Sequence, residues 1–148
     1  MEIFKTYQAI LWGGLTAGTL DILAAIISSR PRGVSAIRVL QSVASGWLGA
    51  NAFKGGNKTA AFGLLLHFVI AFGWTIIYFF VSRNWPVLTV QTLLCGVLYG
   101  AAIYFLMNLV IVRLSAAPFK IPFALAGLLI HIFCVGLPIA LAIRWYAK

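Results

Sequence analysis

Four stretches of about 20 or more mostly apolar residues, at 9–29, 60–81, 87–112 and 121–143, take up most of this 148-residue chain. At about 1.5 Å of rise per residue, each is long enough to cross the roughly 30 Å hydrocarbon core of a bilayer. A water-soluble fold of this length would need more polar surface than two acids and eleven basic residues provide. Charged residues are 9% of the sequence, against roughly a quarter in ordinary soluble domains. The sequence therefore predicts an all-α integral membrane bundle of four transmembrane helices, with residues 1–148 forming one transmembrane domain in the lipid bilayer. The first run carries Asp21 and has no small-residue cleavage site, so it reads as a retained helix rather than a signal peptide.

The breaks between runs are chemically sensible. Arg30-Pro31-Arg32-Gly33 ends the first, Arg83-Asn84-Trp85-Pro86 separates the second and third, and Ala117-Pro118-Phe119-Lys120 precedes the fourth. Trp12, Trp85 and Trp145 fall near the predicted ends, where indole rings favour the membrane interface. A formal net charge of +9 raises the question of nucleic acid, but the Lys and Arg residues are scattered between apolar runs rather than gathered on one water-facing surface. They read as topology signals and headgroup contacts, and no nucleic-acid partner is expected. Arg30, Arg32, Arg38, Lys54, Lys58, Arg113 and Lys120 lie at one end of the predicted bundle, against Lys5, Arg83, Arg144 and Lys148 at the other. That bias puts the long first loop in the cytoplasm and both termini outside.

The first loop is not featureless. At helical spacing, residues 35–50 place Ala36, Ile37, Val39, Leu40, Val43, Ala44, Trp47 and Leu48 on one side, and Ser35, Arg38, Gln41, Ser42, Ser45 and Gly49 on the other. This split predicts a short amphipathic helix, surface-lying or re-entrant. Its polar side offers Arg38, Gln41, Ser42 and Ser45 as lipid or headgroup contacts, or as a lid over the bundle; a simply solvated face is the plainer expectation.

A polar group inside a span is costly and so marks a functional candidate. Asp21, His67, Asn108 and His131 qualify, one on each helix. Their depths from the loop ends of the spans are roughly 12, 10, 6 and 15 Å, all in the same half of the bilayer. Asp21 shares a face with Gly14 and Gly18, and Asn108 continues a row from Gly96 and Gly100. Both glycine pairs have GxxxG spacing, which lets helices pack closely. The plain reading is an Asp–His pair with an Asn, mutually satisfied and holding the bundle together. A functional version makes the cluster a path for protons or a small solute. A third makes His67 and His131 the axial ligands of a b-type haem between helices. Too few ligands are present for a zinc or copper site. Cys95 and Cys134 both lie in apolar runs and read as small packing residues. With only Glu2 and Asp21 as acids, there is no paired-carboxylate site, no catalytic residues are assigned and no enzymatic activity is expected.

The layout from His67 to Tyr78, the run from Gly96 to Asn108, the Ala116-Ala117-Pro118 break and the segment from Gly127 to His131 resemble those of YagU-type bacterial inner-membrane proteins, over about the last 90 residues. The resemblance implies a bacterial inner-membrane location and four spans, and supplies no reaction. The leading expectation for function is an accessory or interaction subunit of a membrane complex, joined to other membrane subunits or to itself through the small-residue seams and the amphipathic loop, with no cofactor. The alternatives are a proton-linked small-solute transporter or channel and a haem b protein.

Overall fold

The structure, a computed structural model, describes residues 2–146. Among them there is no strand. The helices, in order, are α1 (Glu2–Ser29), α2 (Ala36–Leu48), α3 (Gly56–Asn84), α4 (Thr92–Leu114) and α5 (Leu125–Tyr146). All but α2 are long and apolar enough to cross a membrane, and the chain is a multi-pass helical membrane protein. The start of α1, the end of α5 and the α3–α4 connection lie at one end of the bundle. The other end holds α2 and the α4–α5 connection.

Proline and glycine set several helix limits. After α1, Pro31 sits in the tight turn Arg30–Arg32, and Gly33 follows with a left-handed φ of 74°, its N–H bonded to the Arg30 carbonyl. Ser35 starts α2 by accepting a hydrogen bond from the Arg38 N–H at 3.2 Å. The third span begins later than the predicted 87, because Pro86 starts a separate single turn, Val87–Val90, and Gln91 leaves helical geometry before Thr92. The fourth begins at Leu125 rather than 121. Ala124 is held extended because its N–H donates to the Tyr104 hydroxyl at 2.8 Å, while that hydroxyl donates to the Ala124 carbonyl at 3.2 Å.

Helices α1 and α3 pack side by side, α5 lies against both α1 and α4, and α2 crosses the start of α3. The glycine pairs expected to seam the bundle do so within this chain. Gly14 and Gly18 accept the rings of Phe72 and Phe68 from α3. Gly96 and Gly100 of α4 meet the backbone of α5, where Gly136, which the sequence reading passed over, rests directly on both. A Cβ at Gly100 would come within 2.5 Å of the His131 carbonyl oxygen.

Two turns are wider than α-helical, Met107–Ile111 in α4 and His131–Gly136 in α5. The second has a visible cause. Pro138 has no N–H to give the Cys134 carbonyl and its ring presses on that carbonyl, so the preceding turn opens and the Leu137 N–H reaches back to Ile132.

Overpacking the α4–α5 contact should be costly. Gly100→Ala is expected to lower stability by about 1–3 kcal/mol, seen as a lower thermal midpoint in detergent. Gly73→Ala, where a Cβ meets open space, should leave the midpoint unchanged or raise it.

Candidate functional site

Asp21, His67, Asn108 and His131 all line one cavity of about 310 Å³ at the loop end of the bundle. Its walls are otherwise apolar, with Ile22, Ile70, Trp74, Ile103 and Met107 among them. Helix α2 roofs it through Val39, Ser42, Val43 and Gly46, and the α4–α5 connection closes one side through Ser115, Ala117 and Phe119. Roof and side are joined by the Ala116 N–H donating to the Gly46 carbonyl at 3.0 Å. The Ala116-Ala117-Pro118 break was expected only as a connection, not as a wall of the cavity. Small side chains at 116 and 117 were the available signal, since they let the connection lie close against α2.

The expected mutual satisfaction of the four polar groups does not occur. His67 does not pair with Asp21; its Nε2 donates to the Gly18 carbonyl at 2.8 Å. Gly18 has no side chain to shield that carbonyl, whose second lone pair is free to accept. His131 donates from Nδ1 to the Gly127 carbonyl at 2.9 Å, and its ring meets the buried Tyr104 edge-on at 5.4 Å between centroids. Asn108 donates from Nδ2 to the Tyr104 carbonyl at 2.9 Å. Asn108 and His131 also lie in the two wide turns, a backbone feature frequent at functional sites. Tyr104 braces both and was missed as a site residue, although it falls on the Gly96–Gly100–Asn108 row.

Asp21 differs from the other three. Among the described residues it has no hydrogen-bond or ion-pair partner, although the cavity wall around it is mostly apolar. The reason is general to helices. Interior N–H groups are consumed by the helix, while each carbonyl keeps a second lone pair. Side chains that donate can therefore borrow from the backbone, and a carboxylate, which only accepts, cannot.

The polar side of α2 departs from expectation. Gln41 and Ser45 are buried and Ser42 is half-buried in the cavity roof, so only Arg38 of the four predicted contact residues is exposed. Its guanidinium lies 4.0 Å from the centre of the Phe53 ring. Gln41 donates from Nε2 to the Gly56 carbonyl at 3.1 Å, and Thr59 donates to the Ala52 carbonyl at 2.6 Å. Ser42 and Ser45 return their hydroxyl protons to carbonyls of α2 itself. Meanwhile Ile37, Leu48 and Trp47, the last 74% exposed, face outwards. Val39 and Ala44 of the apolar side are buried as well, so the inward side of α2 draws on both, and Gln41 turns inwards to reach the spare carbonyl of Gly56 at the start of α3.

Each histidine has one ring nitrogen committed to a backbone carbonyl, Nε2 of His67 to Gly18 and Nδ1 of His131 to Gly127, and one nitrogen left over. Among the described residues no group of three or more His, Cys, Asp or Glu side chains is placed to hold a metal ion. No protein-family model, curated protein or solved structure matches the chain.

If Gln41 ties the roof down, Gln41→Ala should speed amide hydrogen exchange over residues 36–48 by about ten-fold, the equivalent of about 1.4 kcal/mol. Exchange in α4 and α5 should not change; uniform acceleration across the bundle would contradict the assignment.

Proposed function

We propose that the chain is a membrane-embedded carrier for a small solute, with the cavity as its binding site and Asp21 as the group that exchanges solute or proton. The observation supporting this is that one polar side chain from each of the four spanning helices lines the same cavity. Structural glue does not need this arrangement, since His67, Asn108 and His131 are already satisfied by backbone carbonyls and gain nothing from one another. The roof made by α2 gives the cavity a part able to admit or shut out solute from one side. We place the chain in a bacterial inner membrane, as the YagU-type resemblance implies, with α2 on the cytoplasmic side and both termini outside, on the strength of the seven basic residues at the α2 end against four at the other.

Proteoliposomes carrying the wild-type chain should dissipate an imposed pH gradient faster than empty vesicles, read with a pH-sensitive dye. Asp21→Asn should slow this by about ten-fold or more. Equal rates for wild type, variant and empty vesicles would remove the carrier reading.

A second reading, an accessory or interaction subunit, is favoured by the outward apolar edge of α2, where Ile37, Trp47 and Leu48 stand exposed beside Arg38. The GxxxG rows lend it no support, because their partners are in this chain. Mass spectrometry from mild detergent should then find a defined complex or self-assembly; recovery as a lone monomer would count heavily against it.

A further inference from the structure

The hydrogen-bonding inventory of the cavity limits the chemical class of its solute, an argument that rests on the cavity being a solute site. Protons that the lining could offer are largely committed. His67 gives its Nε2 proton to Gly18, His131 its Nδ1 proton to Gly127, and Asn108 one amide proton to Tyr104. Ser42 and Ser115, on the roof and the side wall, give theirs to the carbonyls of Val39 and Val112. What remains is two donors, the second Asn108 amide proton and the Trp74 indole N–H, against more numerous lone pairs: both oxygens of Asp21, the second ring nitrogen of His67 and of His131, and the amide oxygen of Asn108.

No Lys or Arg lines the cavity. An anion would meet acceptors and a carboxylate with no cation to offset them. A bare metal ion would find too few converging ligands among the described residues. A donor-rich organic cation suits the site on each count. We propose that the cavity binds a small lipophilic amine in its protonated form, the ammonium group against Asp21 and the apolar body along Ile22, Ile70, Ile103 and Met107, with the indole of Trp74 available to the positive charge. The volume of about 310 Å³ is at the small end of ligand pockets, about 300–1,000 Å³, and selects for a compact solute.

Three probes of one shape separate charge from size: benzylammonium, benzyl alcohol and benzoate, titrated calorimetrically into the purified full-length protein in detergent. Benzylammonium should bind saturably, and the alcohol and the carboxylate at least about 30-fold more weakly. Asp21→Asn, close in shape and with no charge to desolvate, should lose benzylammonium affinity by a similar factor without changing the alcohol's; Asp21→Glu should restore part of it. Equal wild-type binding of alcohol and ammonium would overturn the cation assignment and leave the solute site standing, and this comparison does not depend on any variant folding. If none of the probes binds while the Asp21-dependent proton flux persists, the assignment also fails and the carrier reading survives. Absence of both would end both.

Discussion

In a helical bundle surrounded by lipid, the backbone has lone pairs to spare and almost no free N–H, and this asymmetry governs where polar side chains can go. Nearly every buried or half-buried polar group here follows it by donating to a carbonyl. Thr75 bonds to Ala71, Tyr99 to Trp74, Tyr78 to Leu88, Ser82 to Phe79, and His67, Asn108 and His131 do likewise at the cavity. These bonds cross between helices at His67 and Tyr99, so the same rule also ties α3 to α1 and to α4. A carboxylate has no such recourse, which is why Asp21 is left with unmet acceptor capacity.

The backbone approach of α4 to α5 makes the cavity possible. Gly96, Gly100 and Gly136 bring the two main chains into contact. The wide turn His131–Gly136 begins at His131, whose ring meets Tyr104. On the opposite wall, Gly14 and Gly18 admit two phenylalanine rings, and the bare Gly18 carbonyl fixes His67. Small residues thus do two jobs: they close the bundle at its seams and expose carbonyls that orient the imidazoles.

How much of this could be read from sequence differs from element to element. The four spans were legible, because a run of 20 apolar residues has few other uses. The start of the last at Leu125 was not, since it depends on one tyrosine hydroxyl from another helix. The short helix at 36–48 was legible from its periodicity, but which face turns inwards was not. Amphipathicity divides a helix into two faces, whereas the buried side here takes Gln41 and Ser45 from one and Val39 and Ala44 from the other. The depth of Asp21, His67, Asn108 and His131 was legible by counting residues, whereas their partners were not. Hydropathy carries no record of which carbonyl stands bare, so the apparent Asp–His pair resolved into an imidazole–glycine bond and a solitary acid. The wide turn at His131 did have a forewarning in Pro138.

Helix α2, with Gln41 turned inwards, bears on how the protein assembles. A segment whose outer edge is apolar and whose inner edge needs Gly56 and Thr59 has no stable seat until the first turn of α3 exists. Its seat on the bundle thus depends on residues that follow it in the chain, and glycines with positive φ bound it on both sides, Gly33 before it and Gly49 and Gly56 after it.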